Sequence, residues 1–363
     1  MAGKKGPVRG PAKKTTAKSQ QPPAKERLEK SEKLEKPKLS REELADQQRI
    51  IDIFSHTFAE VLSSTETFTL KLQEVKQALF NREFATAFGK EENLEVYAAR
   101  WSPTRALCYA SVFRDIRPYL DEVTRDDSSK TATGSTELPT VRVLSVGGAA
   151  AEVVAFGGLL HEAEALSGDI TLLDSGPWAS VVSRLEQALA TPPPLSKYAS
   201  EAAKAGNVAF VPPARLAARF VMQDVLELEK SRLAETVGAS PCLVTLFFTL
   251  NELFTSSGIG KTTAFLLNLT AVIPIGSLLL VVDSPGSYSE TTLGKQEKRY
   301  PMQWLMDKVL LGTEEEPVEG RRWVKLESHD SLWFRLHEDL QYPIPLENMR
   351  YQMHLYRAEK AVV

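Results

Sequence analysis

The run Val141-Arg142-Val143-Leu144-Ser145-Val146-Gly147-Gly148-Ala149-Ala150-Ala151-Glu152 decides the fold. Val141, Val143, Leu144 and Val146 form a short apolar, largely β-branched segment, suited to a strand covered on both faces. Gly147 and Gly148 carry no Cβ, so the chain can turn sharply and a ligand can approach its backbone. Ala149 to Ala151 keep the start of a following helix thin, and a helix start presents free N–H groups. Two readings fit this stretch. One is a nucleotide-type cofactor loop at the mouth of a parallel sheet, the other an ordinary strand-to-helix turn.

Downstream the pattern alternates strand and helix, the mark of a parallel α/β sheet. A helix follows the glycines through about Leu166. Residues 169–174 read as a short strand closing on an acid, Asp174, and a helix through Trp178 and Leu189 ends at Thr191-Pro192-Pro193-Pro194. Residues 197–214 read as an irregular insertion. Residues 219–226 give a third strand carrying Asp224, residues 242–249 a strongly apolar fourth, and residues 277–283 a fifth after a helix over 261–272. Residues 322–326 and 331–336 read as a final strand pair around the turn Ser328-His329-Asp330.

Upstream, residues 41–120 read as helical. Ile50, Ile51, Phe54, Phe58, Val61 and Leu62 recur at helical spacing, and Phe68, Leu70, Leu72, Val75 and Leu79 mark a second helix ending near Asn81. Ser102 is placed to cap a helix whose first residue is Pro103 and which stops before Pro118. Arg100, Arg105 and Arg114 flank it, available to a phosphate or a cofactor carboxylate, or to the acidic body. Residues 121–139 are polar and read as a loop.

The chain has 363 residues, 43% hydrophobic and 25% charged, a globular composition with length for one large domain or two modest ones. Its formal charge of −3 hides an asymmetry: residues 1–39 hold twelve Lys and Arg against four Glu, and the rest is acidic. Residues 1–40 are low-complexity and read as a disordered basic tail, serving as a nuclear or nucleolar address or holding nucleic acid through phosphates. The expected organisation is that tail, a helical extension over 41–120 and an α/β domain over 121–363. No apolar run is long enough to span a membrane, and no apolar N-terminal core marks a secretory signal. Cys108 and Cys242, both in apolar surroundings, read as reduced core thiols. The five histidines lack metal-ligand spacing, so no metal is expected, and no Ser-His-Asp elbow appears.

The acids narrow the cofactor. Asp174 closes the strand after the glycine turn, where a carboxylate can accept two hydrogen bonds from a ribose diol. Asp224 follows on the next strand, within reach of an adenine amino group. The turn lacks the G-x-G-x-x-G spacing that a pyrophosphate needs. S-adenosylmethionine has no pyrophosphate and suits the looser turn. Gly258-Ile259-Gly260-Lys261-Thr262 looks like the end of a phosphate loop, but Thr255 stands where the first glycine belongs, and Thr262 or Thr263 reads as a helix cap.

Five segments carry a family resemblance: residues 97–106, 144–152, 249–254, 283–288 and 347–351. Tyr97-Ala98-Ala99-Arg100-Trp101-Ser102-Pro103, Thr249-Leu250-Asn251-Glu252-Leu253-Phe254, Asp283-Ser284-Pro285-Gly286-Ser287-Tyr288 and Glu347-Asn348-Met349-Arg350-Tyr351 are the more specific of them. The chain resembles the fungal S-adenosylmethionine-dependent methyltransferases that act on a uridine N3 of 25S ribosomal RNA. The resemblance implies a class I (Rossmann-like) α/β fold with a seven-stranded, mostly parallel sheet and an N-terminal helical extension. It implies S-adenosylmethionine as cofactor, large-subunit rRNA or a pre-ribosome as partner, and a nucleolar or nuclear location with possible use in the cytoplasm. A monomer without membrane or metal is expected. The cofactor site is expected at Ser145, Gly147, Gly148, Asp174, Asp224, Val225 and Thr249, with the turn at 147–152 around the methionine part. Asn251 and Glu252 are expected to face the substrate, Glu252 as a base for the N3 proton if burial raises its pKa. N3 lies on the pairing edge, so the base must be unpaired or flipped, and Tyr288, Trp304, Trp323 and Trp333 are candidates to stack on it. Methylation of a protein or another RNA base, and a non-catalytic assembly role, are the competing readings.

Overall fold

A computed structural model describes residue 3 and residues 38–128, 138–286, 290–292 and 299–361. The expected disorder of the basic tail and the stacking candidate Tyr288 therefore lie outside the described residues, except at the tail's end. There Ser40 accepts the Glu43 N–H at 3.1 Å and Glu43 accepts the Ser40 N–H at 2.7 Å. That reciprocal cap starts α1 (Arg41–Thr57).

The expected seven-stranded α/β sheet is present. Its strands are β1 (Thr140–Val146), β2 (Ser167–Asp174), β3 (Leu216–Met222), β4 (Leu243–Phe247), β5 (Leu278–Asp283), β6 (Arg321–Phe334) and β7 (Met349–Lys360). They lie in the order β3-β2-β1-β4-β5-β7-β6, with β7 and β6 antiparallel to their neighbours and the others parallel. Side chains alternate between two cores, as the period of two demands. Val141, Val143, Leu243, Phe247, Leu278 and Leu280 face one core, and Leu144, Val146, Val244, Leu246, Leu279 and Val281 face the other. The first core is covered by α1, α3 (Glu91–Asp115), α5 (Ala150–Glu162) and α6 (Ala179–Ala190), with α2 (Thr65–Phe80) adding Phe68. The second is covered by α7 (Lys230–Val237), α8 (Ile259–Val272) and α9 (Met302–Leu311). Among the described residues no helix is long and apolar enough to cross a membrane.

Several sequence expectations are corrected. Ser102 does not cap a helix: Ser102 and Pro103 lie inside the continuous α3. A proline there leaves the carbonyl four residues earlier without its N–H donor. The Tyr342 hydroxyl takes that place, donating to the Ala99 carbonyl at 2.7 Å. Part of the expected loop at 121–139 is helical, because α4 spans Arg117–Ser128. The third strand ends at Met222, and Asp224 lies two residues beyond it, accepting the Leu226 N–H at 2.9 Å to start a short 3-10 turn. The expected final strand pair is one bulged strand, β6, whose register shifts at Lys325/Glu327 and His329/Leu332. Ser328-His329-Asp330 reads as a turn, but bulges let it run on within the strand. Its partner β7 is missed because Gln352 and His354 interrupt the apolar pattern inside a fully buried run. Thr262 is no cap either, since its hydroxyl donates back to the Gly258 carbonyl at 3.1 Å inside α8.

Candidate active site

The strand order turns outward in opposite directions from the gap between β1 and β4. Such a switch point leaves a crevice beyond the carboxyl ends of the strands. A cavity of about 300 Å³ lies there, lined from β1, β2, β4, α3 and the segment around Asp224.

The glycine turn forms its floor. Gly147 has φ +68°, and its N–H donates to the Leu173 carbonyl at 2.8 Å. A Cβ at Gly147 would sit 2.1 Å from Thr249 Oγ1, and one at Gly148 would sit 2.1 Å from Ser145 Oγ. Both glycines therefore press the turn down onto β1 and the exit of β4, which keeps the space above it open. Glu152, in the first turn of α5, accepts the Ala149 N–H at 2.8 Å. Burial pushes its carboxyl up to about 7 against those backbone donors.

Asp174 ends β2 with Oδ1 accepting the Gly176 N–H at 2.7 Å. Burial raises its carboxyl to about 6, opposed by the Gly176 N–H and by Trp178. Asp224 is exposed at the cavity's edge beside buried Val225. Beyond β4, Thr249 and Glu252 both line the cavity. Burial pushes Glu252 up to about 8; Arg105 opposes this, while Asp283 and Asp174 add to it. Asp283, only 1% exposed at the end of β5, accepts the Asn251 N–H at 3.0 Å and the Ser284 N–H at 2.7 Å. It thereby pins the turn that displays Glu252.

Arg105 on α3 enters from above. It donates to the Tyr97 hydroxyl, and its guanidinium lies 4.9 Å from the centroid of the Phe248 ring. Burial works against its charge, but Tyr97, Tyr109, Glu152 and Glu252 outweigh burial and hold it charged. Phe88, Tyr97 and Trp178 form an aromatic wall, with Phe88 and Tyr97 edge to face at 5.0 Å and Trp101 packed on Tyr97. Cross-packed rings of this kind hold one another rigidly.

Of the expected site residues, Gly147, Asp174, Asp224, Val225, Thr249 and Glu252 line this one cavity. Ser145 does not line it: it is 1% exposed and its hydroxyl accepts from Thr245 Oγ1 at 2.8 Å beneath the turn. Gly148 and Asn251 are likewise absent from the lining, Asn251 being joined to the site through its backbone. The sequence pointed to Arg105 only as one of three arginines. Arg100 pairs with Glu347 at 2.6 Å and Arg114 with Glu162 at 2.9 Å, away from the cavity. Tyr97, Trp178 and Phe248 were missed as site residues, and Glu152 was expected only as the end of the turn around the methionine part. An acid in a first turn and aromatics in apolar runs look like ordinary caps and core. Of the stacking candidates, Trp323 is 1% exposed and donates to Thr270 Oγ1, so it belongs to the core. Trp304 and Trp333 lie on the surface and do not line the cavity. The phosphate-loop lookalike is spent elsewhere, with Lys261 paired to Glu227 at 2.7 Å. Among the described residues no group of three or more His, Cys, Asp or Glu is placed to hold a metal ion.

Comparison with known proteins gives the family. A family model described as "Putative SAM-dependent methyltransferase" matches residues 54–357. A 25S rRNA (uridine(2843)-N(3))-methyltransferase of Saccharomyces cerevisiae is 31% identical over 338 residues, covering 85% of each chain. Among solved structures, an O-methyltransferase family protein from Burkholderia thailandensis aligns at TM-score 0.34 and 13% identity, over 85% of this chain and 72% of that one. The N-methyltransferase NodS of Bradyrhizobium japonicum, in complex with S-adenosyl-L-homocysteine, aligns at 0.31 and 11%, over 67% and 86%. At these scores the fold rests on the strand order itself. With its strand order, its glycine turn and a family match over most of its length, the chain belongs to this family of S-adenosylmethionine-dependent methyltransferases.

Proposed function

We propose that this chain transfers the methyl group of S-adenosylmethionine to N3 of a uridine in large-subunit ribosomal RNA, in the nucleolus or nucleus. The observation that carries the substrate is the 31% identity to the yeast 25S rRNA uridine-N3 enzyme across 85% of both chains. The cavity's chemistry fits the cofactor. Glu152, Asp174 and Glu252 face a space in whose lining Arg105 is the only cation among the described residues, so a ligand carrying positive charge is favoured. Asp174 would hold the ribose hydroxyls, Asp224 the adenine edge, and the turn at 147–152 with Glu152 the methionine part.

Bound there, S-adenosylmethionine supplies a methyl group activated by its sulfonium. The chain's own task is to align the base and remove its proton. Glu252, held up to about 8 by burial, is a base matched to a weakly acidic N–H near neutral pH. It would take the N3 proton as the methyl group passes to N3 and the sulfonium S–CH₃ bond breaks to leave S-adenosylhomocysteine, and the proton would stay on its carboxyl group. Asp283 and the Asn251 N–H hold the turn that aims it. Alignment supplies a further share of the acceleration.

The test is nucleoside mass spectrometry of large-subunit RNA from cells lacking the chain. Loss of one N3-methyluridine, restored by the wild-type chain and not by Asp174→Ala, supports the assignment. An unchanged methylation profile overturns it.

A further inference from the structure

Phe248, the residue directly after β4, has φ +54°. That is the left-handed region, in which a bulky side chain is strained and glycine or asparagine is at ease. Strain of this kind persists only where the surroundings hold it, and it gathers at working sites. Two contacts hold it here. The Phe248 N–H donates to the Val282 carbonyl at 2.7 Å, fixing the backbone to the end of β5. The Arg105 guanidinium packs on the ring, and the Tyr97 hydroxyl anchors that arginine in turn. A glycine would make the same turn without cost, yet the position carries an aromatic ring. The ring is half-buried and lines the cavity with Glu252, four residues on.

We propose that Phe248 is the platform on which the target uracil stacks when its N3 edge meets Glu252, an assignment that rests on the uridine reading above. A base reachable at N3 has left its pair and lost its stacking neighbours, and an aromatic face replaces them. Trp304, Trp323 and Trp333 do not line this cavity, and of the aromatics that do, Phe88, Tyr97 and Trp178 pack on one another, whereas Phe248 belongs to the segment that carries Glu252.

The full chain is assayed with an unmodified large-subunit RNA transcript, and S-adenosylhomocysteine binding is measured by calorimetry. Phe248→Leu keeps an apolar side chain but removes the π-face. It is expected to lower kcat/KM for RNA about 10- to 100-fold while leaving the S-adenosylhomocysteine Kd within about twofold. Phe248→Tyr is expected to stay within about threefold of wild type on both. Phe248→Gly relieves the strained φ, so it is expected to fold, with a Tm no lower than that of Phe248→Leu, and to be the least active. A Phe248→Leu chain as active as wild type overturns the platform. So does an equal loss of cofactor and RNA binding, which would assign the ring to the cofactor. A wild-type chain that yields no N3-methyluridine overturns the underlying function, and this assignment with it.

Discussion

Two cavities of similar size lie in this molecule and differ in how their charges are engaged. The one beyond β1 and β4 holds carboxyls pushed toward neutrality, beside a positive-φ glycine and a strained phenylalanine. The other, about 410 Å³, lies between α1, the end of α6 and Pro192–Pro194, and carries Arg49, Arg184 and His56. Its arginines are already occupied: Arg184 bonds Glu95 and the Thr57 carbonyl, and Arg49 lies over Phe210 at 4.9 Å. A cavity whose charges are satisfied by the protein is a gap between elements. One whose charges are left in tension has work for a ligand to do. Volume does not separate the two; electrostatics and backbone strain do.

That contrast breaks or survives by experiment. The largest effect is expected at Glu252. Glu252→Gln should cut turnover about 10²- to 10⁴-fold with cofactor binding intact; unchanged turnover would remove the base. Since Glu252 sits at about 8, wild-type kcat/KM should climb as pH rises toward 8, and the variant should lose that limb. The same raised value has a stability sign. The fold favours the protonated carboxyl, so the stability it contributes is complete below its ordinary pKa of 4.5 and is lost as pH rises through about 8. Ligand-free protein should therefore melt lower at pH 8.5 than at pH 6, and Glu252→Gln should flatten that fall. A melting temperature indifferent to pH would contradict the strained-charge picture.

Next is Asp174→Ala, expected to weaken S-adenosylhomocysteine about 100-fold through two lost charge-assisted hydrogen bonds. Arg184→Met in the second cavity should leave that Kd within about twofold and lower only stability. Equal effects at both sites would erase the distinction. Gly147→Ala meets a φ of +68° and a 2.1 Å approach to Thr249 Oγ1, and should cost about 1–3 kcal/mol in chemical denaturation. Smallest is Tyr342→Phe. It removes one hydroxyl donor at the proline break in α3 and should cost about 1 kcal/mol, read by urea unfolding.

The sheet's parallel half was legible because β1, β2, β4 and β5 are short apolar runs punctuated by Gly, Asp and Pro. Of its antiparallel edge, β6 was read as two short strands and β7 was not read at all. Gln352 and His354 are buried polar residues satisfied by partners remote in sequence, Ser284 and Ser328, which no local pattern shows. The same division holds at the site. Asp174, Asp224 and Gly147 announce themselves by position along the chain. Glu152, Arg105 and Phe248 acquire their roles from burial, from a facing helix and from a backbone angle, none of which is written in spacing.

The hydroxyl that Tyr342 lends to the Ala99 carbonyl has a consequence in time. The segment that carries it, between β6 and β7, also exchanges two hydrogen bonds between Gln341 and Gln48 and holds Arg100 through Glu347. These contacts join residues 243 to 293 positions apart. A nascent chain that has emerged as far as Asp283 already possesses every carboxyl of the cavity. It lacks the clasp that seats α3, and with it the firm placing of Tyr97 and Arg105. Closing so long a loop is slow. The α3 side of the cavity is therefore fastened only after residues 341–347 have been made, although α3 itself is made early.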